Sequence, residues 1–187
     1  DLMVDVVKSF KKELPETDDF QNVAKEIPLI TKLINDGYTG RKGKGGFYRI
    51  NKSNNNKVLE AINLDTEKYS PSKKIDLKMD IVNIVGLINR DDKYGKYAWS
   101  VISKIITYAS SLVPGITDKF NDIDEAMRLG FNWAMGPFEM LNEIGPKTFF
   151  GRLGQIENNK FLENLSKSND ENFYGKRQLY TDIETLG

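Results

Sequence analysis

The stretch Asn121–Gly145, NDIDEAMRLGFNWAMGPFEMLNEIG, decides the fold of this 187-residue chain. Its spacing predicts a helix from about Lys119, with Asp118 or Thr117 as N-cap, acidic residues 122, 124 and 125 near its positive end, and Gly130 after it. Gly136-Pro137 then restarts the backbone, because proline has no N–H to lose in a first helical turn and its φ is preset for one. That second helix closes at Gly145. The carboxylates are explained by the helix macrodipole, and i to i+2 side chains do not converge, so no metal or catalytic role is expected of Asp122, Asp124 or Glu125. Phe131, Trp133 and Phe138 read as core or interface aromatics, with Trp133 mostly buried.

The flanks extend the helical pattern. Upstream, Tyr97, Val101, Ile102, Ile105, Tyr108, Ala109 and Leu112 recur at helical spacing from Tyr94 onward, ended by Val113-Pro114-Gly115. Downstream, Phe161, Leu162 and Leu165 predict a short helix before Phe173-Tyr174-Gly175-Lys176. Near the start, Asp1–Leu14 carries apolar residues at 2, 3, 6, 7 and 10, a helix with one buried face stopped by Pro15. Pro28–Asp36 follows as a second helix with Gly37 as its terminal cap. Thr39–Arg49, TGRKGKGGFYR, is too rich in glycine for a helix interior and reads as a loop to an aromatic anchor, Phe47 and Tyr48.

Residues 50–80 are mixed: NKSNNNK is a solvated turn, VLEAINL a brief ordered stretch, TEKYSPSKK a linker. Ile81–Ile88 fits a buried strand or the start of a helix, and periodicity does not choose. The helix and aromatic ending at 29–49 is echoed at 161–176, which predicts two related units in tandem. The fold class is therefore all-α: residues 1–50 the first unit, 51–90 a connecting segment, 91–187 the second unit.

Composition limits the chemistry. Twenty-seven basic side chains balance twenty-seven acidic ones, so no global field recruits nucleic acid or an anionic membrane. There is no cysteine and no histidine, which removes disulfides, thiolate nucleophiles and the usual transition-metal ligands. Ser100, Ser103, Ser110 and Ser111 have no histidine to activate them. The longest apolar run, Val101–Val113, is interrupted by Ser103, Lys104, Thr107, Ser110 and Ser111 and falls short of a bilayer span. No secretory signal opens the chain, a cytoplasmic location is expected, and a first residue of Asp leads to the expectation of an internal starting point. Gly40–Gly46 lacks the Walker order and leads to Phe-Tyr rather than opening a helix after a strand. Arg41, Lys42, Lys44, Arg49 and Lys52 form the densest basic patch, read as a solvated loop, with polyanion binding as the competing reading.

The Asp-Ile-Asp start, the Ala-Met-x-Leu-Gly end and the following Gly-Pro-Phe-Glu resemble the helical C-terminal domain of the 3-hydroxyacyl-CoA dehydrogenases. TGRKGKGGFYR resembles the end of the same domain. The resemblance implies that residues 1–49 are the remainder of a first helical domain and residues 94–176 a second copy, as in bacterial multifunctional β-oxidation proteins that also carry an enoyl-CoA hydratase. In that family a Rossmann domain binds NAD and supplies the catalytic His and Glu, while an Asn on the long helix of the first helical domain completes the site. This chain has no Gly-x-Gly-x-x-Gly after a strand and no His, and Trp99 falls about where that Asn would be in the second copy. Catalytic, cofactor-binding and metal residues are accordingly expected to be none here. NAD is the parent enzyme's cofactor, and the chain alone is expected to be inactive. The implied partners are the NAD-binding domain, a second subunit, and acyl-CoA only with the parent. A non-catalytic helical module for assembly is the alternative.

Overall fold

A computed structural model of the chain describes residues 2–52, 57–73, 83–156, 159–168 and 173–174. The chain separates into two compact units, residues 1–77 and 78–187. Helices dominate, as the sequence predicts, and a small sheet joins them in the first unit.

The first unit opens with α1 (Leu2–Glu13), α2 (Phe20–Val23) and α3 (Pro28–Asn35). α1 ends before Pro15, and the Gln21 side-chain amide donates to the carbonyls of Lys11 and Leu14, both at 3.1 Å, satisfying acceptors the helix leaves open. The expected buried face of α1 is not buried. Leu2 is 73% exposed and Phe10 50%, although Phe10 meets Phe20 edge-on at 5.6 Å. α3 begins at Pro28 and ends in a Schellman turn, with Gly37 at φ 84°, its N–H on Ile34 O and the Tyr38 N–H on Leu33 O.

Three strands follow: β1 (Tyr48–Asn51), β2 (Val58–Ile62) and β3 (Tyr69–Pro71), antiparallel in the order β1-β2-β3. The sequence reads TEKYSPSKK as a linker, whereas Tyr69–Pro71 pairs with β2. Residues 53–56 of the expected NKSNNNK turn lie outside the described residues. Arg49 stands directly opposite Glu60 in the register and binds it at 2.7 Å, while the Arg49 guanidinium lies 4.0 Å from the Tyr69 ring centre and donates to Tyr38 Oη. Tyr69 in turn donates to Gly46 O at 2.6 Å, fastening the sheet to the glycine turn. Hydrogen bonds from Asn51 and Arg49 hold the Glu60 carboxyl below its ordinary range. Phe47 and Tyr48, expected as an aromatic anchor, are both largely exposed.

The second unit contains α4 (Ile84–Ile88), α5 (Lys93–Ser111), α6 (Phe120–Phe131), α7 (Pro137–Ile144), α8 (Pro146–Leu153) and α9 (Lys160–Ser168). For the segment 81–88, left open between strand and helix, the described part is helical; residues 81 and 82 lie outside the described residues. Asp92 caps α5, accepting from the N–H groups of Tyr94 and Gly95 at 3.0 Å, and Gly95 is required because a Cβ there would sit 2.2 Å from Arg90 O. The core gathers Ile88, Ile106, Leu141, Ile144, Phe149 and Leu162 from α4, α5, α7, α8 and α9. Asn159 caps α9 through Leu162 N and donates to Thr107 O of α5, tying the last helix to the longest.

Two boundaries differ from the sequence reading. α6 has Lys119 at its N-cap, while Thr117 accepts from the Lys119 N–H at 3.1 Å one step earlier. Gly130 lies inside α6, and the left-handed residue that ends the helix is Asn132, φ 55°. α8, not anticipated, opens on Pro146 behind Gly145, whose φ of 85° lets one residue end α7 and start α8. Gly175 and Lys176 lie outside the described residues.

Candidate functional site: the junction of α6 and α7

Gly136 occupies the N-cap of α7 and has no side chain with which to accept the first free N–H groups of the helix. Asp124, four residues into α6, supplies the missing acceptor. Its Oδ1 takes the Phe138 N–H at 2.8 Å and its Oδ2 the Glu139 N–H at 2.9 Å. Pro137 has no N–H to satisfy, and the Gly136 N–H is taken by Glu139 Oε2 at 2.8 Å. Every donor at this helix start is thereby accounted for.

The approach is so close that only glycine fits. A Cβ at position 136 would lie 2.3 Å from Asp124 Oδ1 and 2.4 Å from its Cα. Arg128, one turn beyond Asp124, donates from Nη1 to Glu139 Oε1 at 2.6 Å, so the Glu139 carboxylate at the positive end of α7 has a guanidinium partner. Tyr174 hydrogen-bonds Asp124 from the far end of the chain. Aromatic rings surround the junction: Phe120 lies 5.3 Å from Phe138 and 5.4 Å from Tyr174, and Phe138 lies 5.1 Å from Phe161.

Asp124 is fully buried and Glu139 nearly so. Burial pushes the Asp124 carboxyl up to about 6, against the pull of the Phe138 N–H, Tyr174 and the Glu139 N–H; burial, then Asp124 itself, pushes the Tyr174 hydroxyl above its ordinary value. A raised carboxyl in a cleft is a catalytic signature, but this one is sealed from solvent with both oxygens occupied. The arrangement is a joint. It fixes the angle between two helices and offers no oxygen to a substrate.

Asp124 thus differs from the sequence reading, since it serves the next helix rather than the positive end of its own. The signal is present in the sequence: a Gly-Pro start lacks an acceptor, and an Asp beyond the first turn of the preceding helix is free to provide one. Phe138 is core as expected, Trp133 only half-buried, and Phe131 is 69% exposed. Trp99 packs against Phe149 at 5.5 Å beneath the Arg152 guanidinium, which also donates to Ile88 O. Ser110 and Ser111 donate to carbonyls of their own helix at 2.7 Å, and Ser103 is buried.

The glycine turn leads out of α3 into an antiparallel strand, with Gly40 bridged to Gly45 and the Lys44 ammonium on Asp36 O. The turn opens a strand, β1, rather than a helix, so these residues do not fit the dinucleotide pyrophosphate turn, which follows a strand and opens a helix. Of the basic patch, Arg49 is drawn into the Glu60 pair, while Arg41, Lys42 and Lys52 are exposed. Among the described residues no group of three or more carboxylates could hold a metal ion, and no helix is long and apolar enough to cross a membrane.

Residues 98–171 match the family model of the 3-hydroxyacyl-CoA dehydrogenase C-terminal domain, a span that includes the whole α6–α7 junction except Tyr174. The chain is 39% identical over 141 residues to a "Putative fatty acid oxidation complex trifunctional enzyme" of Rickettsia felis, and 37% over 141 residues to its namesake in Rickettsia prowazekii. Each match covers 75% of this chain and 19% of the relative. A "Probable 3-hydroxyacyl-CoA dehydrogenase" of Bacillus subtilis is 30% identical over 167 residues, 81% of this chain and 21% of that protein. The chain therefore spans about a fifth of the length of these relatives. No solved structure matches it significantly. The helix-start, glycine-proline and buried-acid pattern all lie inside the matched span, so the part of the second unit that is similar to the 3-hydroxyacyl-CoA dehydrogenase C-terminal domain is the part that builds the α6–α7 junction.

Proposed function

We propose that this chain is the C-terminal helical region of an NAD-dependent 3-hydroxyacyl-CoA dehydrogenase of fatty-acid β-oxidation, and that it shapes the acyl-CoA cleft and a subunit contact rather than reacting. The observation that carries the reading is the family match over 98–171, joined to a junction whose carboxylates are buried in helix capping. The parent reaction oxidises a 3-hydroxyacyl-CoA to the 3-ketoacyl-CoA. NAD binding and the base belong to a separate Rossmann domain, since neither a phosphate-binding turn nor a histidine occurs here. The second helical copy then stands where a second subunit would otherwise pack, in a cytoplasmic enzyme.

The test is reconstitution. The Rossmann domain and first helical domain of the parent, produced together as one protein, are mixed with this chain; complex formation is followed by light scattering and dehydrogenase rate by NADH absorbance. A complex at micromolar concentration with increased rate is expected, while the chain alone neither turns over substrate nor binds NADH in the low micromolar range. Turnover by this chain alone, or no complex at tens of micromolar with a well-folded partner, overturns the reading. The second outcome would favour the alternative, a helical module serving assembly only, which the exposed apolar residues Leu2, Met3 and Phe10 of α1 also support.

A further inference from the structure

In the first unit a groove of about 1020 Å³ runs between α1, α3, the glycine turn and the sheet. Its floor is one face of the sheet. Ile50 stands opposite Leu59 in the register, and Tyr48, two residues before Ile50, points the same way. All three are more than half exposed, at 61% for Tyr48, 58% for Ile50 and 52% for Leu59. Ile30 and Ile34 of α3 and Met3 of α1 form the wall. An apolar sheet face is ordinarily covered by a second layer, which a helix can supply.

The rim specifies the charge of the occupant. Arg41, Lys44, Arg49 and Lys52 line the groove, and no Asp or Glu does among the described residues. Arg49 is neutralised by Glu60, whereas Lys44 keeps its positive charge although its ammonium donates to Asp36 O, so Arg41, Lys44 and Lys52 leave three positive charges on the rim. They do not converge on one point. The Gly46 N–H on Tyr48 O fixes the turn that carries Arg41 and Lys44 at the start of β1, whereas Lys52 lies four residues further along an extended chain, about 13 Å away at strand rise. A single anionic headgroup reaches one end of such a rim only, but carboxylates spaced over two or more turns of a helix reach both.

We propose that this groove docks an acidic amphipathic helix of a protein partner, with its apolar stripe on Tyr48, Ile50 and Leu59 and its carboxylates toward Arg41, Lys44 and Lys52. The mode is helix-in-groove recognition with anchors at i, i+3, i+4 and i+7. It rests on the first unit alone and does not depend on the dehydrogenase reading.

The experiment uses the full chain and two labelled designed peptides of about four helical turns, both with leucine at that spacing, one with flanking Glu and the other with flanking Lys. Fluorescence anisotropy should give saturable binding of the Glu peptide on the order of 10 µM and about tenfold weaker binding of the Lys peptide, the effect of a few exposed charge pairs. Reversing the rim with Arg41→Glu and Lys52→Glu, both exposed positions, should exchange the two preferences. Ile50→Asp should abolish binding of both while leaving the circular dichroism spectrum unchanged. Absence of saturable binding, equal binding of both peptides, or a preference unmoved by charge reversal overturns the proposal. So does stoichiometric binding of laurate tighter than either peptide, which would make the groove an amphiphile site, or a wild-type dimer dispersed by Ile50→Asp, which would assign the face to a second copy of the chain.

Discussion

The two units spend similar amphipathic helices in opposite ways. Among the described residues the first unit buries only Ala24 and Leu33 of its apolar side chains, whereas the second buries ten, from Ile88 to Leu165. α1 repeats its apolar residues as regularly as α5, yet only α5 meets neighbours that cover its stripe. What holds the first unit is polar and local: the Gln21 cap, the Schellman turn and the Arg49–Glu60–Tyr69 stack. Periodicity therefore marks a face that wants cover, and the cover has to be established separately.

The difference breaks most sharply under core truncation. Phe138→Ala should destabilise the second unit by about 3 to 5 kcal/mol, because the ring is fully buried beside Phe120 and Phe161. Both tryptophans, Trp99 and Trp133, lie in this unit, so urea unfolding followed by tryptophan fluorescence reports it selectively. A loss below about 1 kcal/mol would mean that the aromatic cluster adapts and is no core.

The polar joint comes next. Asp124→Ala leaves the Phe138 and Glu139 N–H groups buried without acceptors, at about 1 to 3 kcal/mol for each group, so a loss of about 3 kcal/mol is expected. Gly136→Ala forces a methyl into Asp124 and should approach that value. The double variant should still carry most of the Gly136 cost, because Asp124→Ala keeps the Cα and Cβ that each lie 2.4 Å from the added methyl. A double variant no less stable than Asp124→Ala alone in the same urea assay would show that only the carboxylate excludes a side chain at position 136.

The same aspartate sets a pH dependence opposite to that of Asp92. Asp124, raised to about 6 from 3.8, binds its proton more tightly when folded. Its contribution is fully present below about pH 4 and is lost as pH rises through about 6, by roughly 2 to 3 kcal/mol at one pKa unit per 1.36 kcal/mol. Asp92, lowered to about 2 by Arg90 and the Gly95 N–H, contributes above about pH 4 and loses that contribution as pH falls toward 2. Urea midpoints between pH 4 and 7 should therefore fall for the native chain and flatten for Asp124→Asn. A native midpoint that rises across this window would show Asp124 ionised within the fold.

How much of this is legible in the sequence depends on where each element finds its partners. α7 and α3 are punctuated locally, by Pro137 with Gly145 and Pro28 with Gly37, and the sequence marks both. The sheet is not: Tyr69–Pro71 shows no alternation, and its order comes from pairing with β2 and from Arg49 stacking on Tyr69 twenty residues away. α8 offers only Phe149, Phe150 and Leu153 as apolar markers, split by Gly151, too short a pattern to register. Asp124 escapes the sequence reading for a related reason. Its role lies in the next helix, and a carboxylate near a helix start already has a sufficient local explanation.

The smallest expected effect discriminates best between an unused face and a reserved one. Phe10 is half exposed and touches Phe20 only by its edge, so Phe10→Ser should cost the isolated chain less than about 1 kcal/mol, measured by circular dichroism during urea unfolding. If α1 is simply a solvated helix, nothing else changes. If its face is held for the NAD-binding domain of the proposed enzyme, the same substitution removes a ring from a desolvated contact, and affinity in the reconstitution assay falls by tenfold or more, a change of about 1.4 kcal/mol per decade. Leu129, 77% exposed on α6, provides the control, since Leu129→Ser is equally mild for folding. A complex weakened by Phe10→Ser and not by Leu129→Ser places the contact on the first unit. Equal weakening, or none in either, removes α1 from the interface and leaves its apolar stripe without a role in assembly.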